Sequence, residues 1–87
     1  MFRVIISRKV LRSIEKMPTA IQKKMMNLAE DLRNQGAYQP NWPNYGRINR
    51  NQYHCHLAYK WVACWYWKKE STDIEVYYAG SRENAPY

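Results

Sequence analysis

The spacing of apolar residues changes once along this chain, and that change sets the kind of fold open to it. Val10, Leu11, Ile14 and Met17, then Ile21, Met25, Leu28 and Leu32, recur every three or four residues, which aligns them on one face of a helix. Later segments read as strands: QYHCHL, KWVACWYW and IEVYYA are rich in β-branched and aromatic residues, with short polar turns at AY and KKESTD between them. A helix stripe must be buried against another element, and the strands supply the surface. The expectation is an α+β fold: an N-terminal strand and a two-helix hairpin packed on a small, mainly antiparallel twisted sheet.

Local signals place the boundaries. FRVII at 2–6 reads as a short strand, Ser7 as the N-cap of a helix over RKVLRSIEKM, and Pro18 as its end. Thr19 followed by Gln22 has the form of a capping box, and Gly36 offers the stop of the second helix. GAYQPNWPNYG at 36–46 holds two Pro, two Gly and three aromatics and reads as a loop. Its Trp42 has two readings, a cover for the core edge or a platform for a base, and packing is the expectation.

Alternation then sorts the chemistry by face. Tyr53, Cys55 and Leu57 share one side of their strand, and His54 and His56 share the other. On the next strand the bulkier set, Trp61, Ala63, Trp65 and Trp67, is expected to face the helices. The opposite face would then gather His54, His56, Lys60 and Tyr66, with Arg82 entering from the end of the last strand. That surface is cationic and protonatable.

A chain of 87 residues supports one domain, 1–87, which buries only about 60–65% of its unfolded surface. No apolar run reaches the roughly 20 residues needed to cross a bilayer, and the N-terminus meets charge too early for a signal peptide. A cytoplasmic protein with no membrane contact is expected, and the two cysteines, Cys55 and Cys64, fit reduced structural thiols. The net charge of +7 is uneven: residues 1–35 carry eight basic and three acidic side chains, 36–69 five basic and none acidic, and the last 18 one basic and four acidic. A basic body suits a polyanion such as RNA, DNA or a ribosome, or an acidic protein.

The order of elements, together with YHCHL, NWPNY, KWVACW and VYYAGSRENAPY, resembles the RelE/ParE toxin superfamily over nearly the whole chain, with a RelE-type character. The resemblance implies the toxin of a type II toxin–antitoxin system: an endoribonuclease, or mRNA interferase, that enters the ribosomal A site beside ribosomal RNA, cuts the message and so inhibits translation. A cognate antitoxin would neutralise it. ParE-like relatives share the fold but inhibit DNA gyrase, so the alternatives are a gyrase inhibitor or a non-catalytic RNA-binding module. Carried over by position, His54 and His56 fall where RelE-type enzymes place alternating basic or acid–base residues, Arg82 matches the phosphate-binding arginine, and Tyr87 the C-terminal tyrosine. Histidines stand in place of lysines, and the arginine of the KWVACW strand is missing. Val62 occupies its place, with Lys60 two residues earlier on the same face.

Metal-free RNA scission needs a base for the 2′-hydroxyl, positive charge on the phosphate and an acid for the leaving 5′-oxygen. The expectation assigns catalysis to His54, His56, Arg82 and Tyr87, and substrate binding to Lys60, Arg47, Arg50 and Tyr66, with no cofactor and no metal. A zinc reading lacks a third ligand on the histidine face, because Cys55 has the wrong parity. The competing structural readings are plain strand surface for the histidines, a salt bridge to Glu75 or Glu83 for Arg82, and a frayed end for Tyr87.

Overall fold

Ser7 starts the first helix as its sequence requires: its hydroxyl accepts the Val10 N–H at 3.2 Å. The computed structural model describes residues 1–87, with β1 (Arg3–Ile6), α1 (Arg8–Glu15), α2 (Thr19–Gln35), β2 (Gly46–Arg47), β3 (Gln52–Ala58), β4 (Trp61–Trp67), β5 (Asp73–Ser81) and a 3-10 turn at Arg82–Asn84. The Thr19–Gln22 capping box does not form. Pro18 takes the cap position and offers no side-chain bond, while Gln22 Nε2 donates to the carbonyls of Met17 at 2.8 Å and Glu15 at 3.2 Å. Those carbonyls lie at the end of α1 and just beyond it, where acceptors lack helical partners, so Gln22 ties the two helices together.

The five strands form one sheet in the order β1-β5-β4-β3-β2. β1 runs parallel to β5 and every other pair is antiparallel. The two-residue β2 lies inside the segment expected to be loop and its border, and the β3–β4 turn is Tyr59–Lys60 rather than Ala58–Tyr59. No helix is long and apolar enough to cross a membrane.

Face assignment follows the expected parity. Tyr53, Cys55, Leu57, Ala63 and Trp65 join Val10, Ile14, Met25, Leu28 and Leu32 in the core, with Trp61 and Trp67 packed on its border. Trp65 is fully buried, and its indole N–H donates to the Ala37 carbonyl at 3.0 Å. Trp42 packs against the same core and its indole donates to Asp31 Oδ2 at 2.9 Å, which is the packing role.

β5 departs from simple alternation. Cys64 pairs with Tyr78 but Trp65 with Val76, so β5 carries one extra residue at Tyr77. The core residues of β5 are accordingly Ile74, Val76 and Ala79. This bulge moves Tyr78 to the histidine face and shifts by one the parity of everything up to Arg82.

Gly36 ends α2 with φ +92° and ψ −165°, a combination open almost only to glycine. A Cβ there would also stand 2.9 Å from the Phe2 ring. Gly36→Ala should cost about 1–3 kcal/mol from the backbone alone, more if Phe2 cannot shift, and urea unfolding reads it directly.

Cys55 lies on the core side and Cys64 on the other, both fully buried and unpaired. Burial pushes each thiol up to about 12. The thiolate is the reactive form, so neither cysteine should react with a disulfide reagent in the native protein, and both should react on unfolding.

Candidate functional site

The sheet face turned away from the helices carries three rows of side chains set by strand register. His54 lies beside Cys64, which pairs with Tyr78; His56 lies beside Val62, which pairs with Gly80; Gln52 lies beside Tyr66, which pairs with Glu75. Two residues apart on one strand, the histidine Cα atoms are about 6.6 Å from each other.

The C-terminal tail folds back onto this face. Tyr87 stacks on His54, with ring centroids 4.3 Å apart and planes 22° from parallel. The last residue is therefore docked, though its side is open to solvent, with 49% of its surface exposed. His54 is bounded on another side by Gly46: a Cβ there would stand 3.0 Å from His54 Nε2 and press on the ring. His54 Nδ1 is buried and has no hydrogen-bond partner.

Burial lowers the pKa of His54, and the neighbouring His56 lowers it further. His54 is thus held neutral to lower pH than a free histidine. Burial raises the Tyr87 phenol, partly offset by Arg82. The phenol keeps its proton throughout the neutral range.

Arg82 follows the strand end, where its backbone N–H donates to the Lys60 carbonyl at 2.8 Å. It forms no salt bridge with Glu75 or Glu83; the ion pairs of the molecule are Arg3–Asp73 and Arg33–Glu30. Its guanidinium lies 5.4 Å from the centroid of the Tyr59 ring. With His56 and Lys24 of α2 it lines an open groove of about 360 Å³.

The other expected binding residues separate. Tyr66 does lie on the histidine face, at the Gln52 end. Arg47 pairs with Tyr53 and lies over its ring at 5.8 Å, which puts it on the helix side of the sheet. Arg50 sits in the bend before β3, at the end remote from His56 and Arg82. Lys60 occupies the exposed turn rather than the strand, and serves Arg82 through its carbonyl. Val62 is fully buried on the histidine face, so no charged group takes the position of the missing arginine. No three His, Cys, Asp or Glu side chains are grouped to hold a metal ion.

Gly46 beside His54, and Lys24, Asn44 and Tyr59 in the groove, are further members of this region. A glycine opposite a histidine on the next strand is a usable signal for the first. Nothing in one dimension separates Lys24 from Lys23. Gly46→Ala should displace the His54 ring by a few tenths of an ångström or more and lower any activity that depends on it, while thermal unfolding stays near the wild-type value.

Among solved structures, a chain of the archaeal RelE–RelB complex from Pyrococcus horikoshii superposes with a TM-score of 0.76 at 14% identity, covering 97% of this chain and 98% of that chain. A chain of the YoeB–YefM complex from Staphylococcus aureus gives 0.70 at 9% identity, covering 92% and 95%. The YoeB/ParE toxin from Agrobacterium tumefaciens gives 0.71 at 6% identity, covering 92% and 98%. No family model and no curated protein matches the chain. The protein has the RelE/ParE α+β fold expected from its sequence. At such identities the fold is what is shared, and the chemistry rests on the side chains.

Proposed function

We propose that this protein is the toxin of a type II toxin–antitoxin pair, acting in the cytoplasm as a ribosome-dependent mRNA endonuclease without metal. The observation that supports it most is the stack of Tyr87 on His54, on the sheet face that also carries His56, which with Arg82 lines the adjoining groove. The RelE–RelB and YoeB–YefM neighbours are complexes, which supports a cognate antitoxin as partner. The charge of +7 suits messenger and ribosomal RNA.

In this reading neutral His54 takes the proton of the 2′-hydroxyl. The 2′-oxygen attacks the adjacent phosphorus, Arg82 stabilises the crowded phosphorane, and the bond to the 5′-oxygen breaks. His56 and Tyr87 are the groups able to return a proton to that oxygen. The products are a 2′,3′-cyclic phosphate and a 5′-hydroxyl. Because His54 Nδ1 is enclosed, substrate reaches it by shifting Tyr87, the last and half-exposed residue.

The experiment is induction in bacteria with mapping of message 5′ ends, beside His56→Ala and Arg82→Ala. Cuts at codon boundaries that disappear in the variants are expected; growth arrest with intact messages and broken DNA would instead indicate gyrase inhibition. Arg82→Ala should lower the rate about 10²–10³-fold, the loss typical of a transition-state charge donor. Arg82→Lys should recover only part of it, since an ammonium lacks the two-pronged geometry of guanidinium.

The depressed pKa of His54 fixes two pH dependences. The acid limb of the cleavage profile should lie below the ordinary histidine value of about 6.5. For stability, the unfolded chain binds a proton at that histidine before the native one does, so stability should fall as pH drops from about 6.5 through the lower native value.

A further inference from the structure

We infer that the groove between α2 and the β3–β4 turn is a nucleotide subsite, in which Tyr59 stacks on a base and Lys24 and Arg82 hold the phosphate next to it. This deepens the nuclease reading and rests on it: the subsite would seat the RNA nucleotide neighbouring the one that is cut.

Charge is the first ground. Lys24, His56 and Arg82 line the groove of about 360 Å³, and no carboxylate does. Lys24 and Arg82 bring two cations to one hollow with no counter-charge among its lining residues, and the phosphodiester is the anion that the adjoining site is built around.

The second ground is Tyr59. It is 79% exposed, the most exposed aromatic ring of the chain, at the tip of a tight turn where a polar residue would serve. The Arg82 guanidinium lies against this ring at 5.4 Å, within the range of a cation–π contact. An arginine-backed aromatic with open surface is the arrangement on which unpaired bases stack.

The third ground is continuity and rigidity. His56 and Arg82 belong to both the groove and the catalytic face. The opposite wall, Pro43 and Asn44, is fixed to β3 because the His56 N–H donates to the Pro43 carbonyl at 2.7 Å. Asn44 holds the bend with φ +53°, a left-handed conformation that asparagine adopts more readily than other non-glycine residues. A preformed wall costs less ordering on binding. An acidic peptide would satisfy the charge but has no use for the ring, so the combination favours alternating phosphate and base.

The test is binding of a fluorescein-labelled RNA hexanucleotide, with the ribose at the position cut replaced by 2′-deoxyribose, to the full-length protein at several salt concentrations. Tyr59→Ala should weaken binding about 5- to 150-fold, the span of measured base–aromatic stacking, and Tyr59→Phe should restore it. Lys24→Gln should weaken binding of all sequences alike and lower the salt slope by about one counterion. Failure of the wild type to hold this RNA, or variants that hold it equally, would overturn the subsite. So would a six-residue polyglutamate bound as tightly as the RNA, since the groove would then read charge alone. Cleavage is scored separately in programmed ribosomes. Binding through Tyr59 without any cutting would sink the nuclease reading and leave the subsite standing; cutting unaffected by either variant would do the reverse.

Discussion

His54→Ala should reduce message cleavage by about 10²–10⁴-fold, the usual contribution of a positioned acid–base group. The expectation comes from the ring's setting: it is enclosed by Gly46 and Tyr87, carries an unpartnered buried nitrogen and is held neutral by burial. A histidine of plain strand surface would need none of these. His54→Ala also frees Tyr87 from its stack, so His54→Phe is the better-controlled variant: an aromatic ring remains for Tyr87 while the nitrogen is lost. Both should be inactive if proton transfer is the role. Recovery of activity by His54→Phe would show that the stack, and not the base, is what matters. The double variant with His56→Ala should lose little more than the worse single one, because groups acting in one proton relay are not additive.

The largest expected loss of stability belongs to Trp65→Ala. Truncating a fully buried tryptophan costs about 3–5 kcal/mol. It also strands the Ala37 carbonyl, which accepts the indole N–H, and an unpaired buried acceptor costs about 1–3 kcal/mol more. Tyr53 and Tyr45 stack against Trp65 with centroids 6.2 Å away and would lose that contact as well. Against the 5–15 kcal/mol that holds a domain together, the variant should be largely unfolded at 37 °C. Trp65→Phe keeps most of the volume and should show a clearly smaller fall in melting temperature by circular dichroism.

Much of the fold was legible because two periodicities report burial directly. The stripes Val10–Ile14–Met17 and Met25–Leu28–Leu32 could be buried only on a helix, and the parity of Tyr53, Cys55 and Leu57 against His54 and His56 followed from strand geometry alone. What was not legible depended on single events in register. The extra residue at Tyr77 moves Tyr78 to the histidine face and Ala79 to the core, and no composition signal marks it. The β3–β4 turn falls one residue later than its sequence suggests, which removes Lys60 from the strand and presents Tyr59 at the tip. Arg47 is among the residues expected to bind substrate, but a two-residue strand pairs it with Tyr53 on the face opposite the histidines. Lys24 reaches the groove only because α2 crosses above it, a long-range relation that local pattern does not encode.

The 2′-hydroxyl is the group on which the proposed chemistry depends, and it can be removed alone. Ribosomes programmed with a message whose A-site codon carries one 2′-deoxynucleotide at the cut position should protect that message completely, while the all-ribose message is cut to a 2′,3′-cyclic phosphate and a 5′-hydroxyl. Equal cutting of both messages, fragments bearing a 5′-phosphate, or no cutting of either would contradict the account.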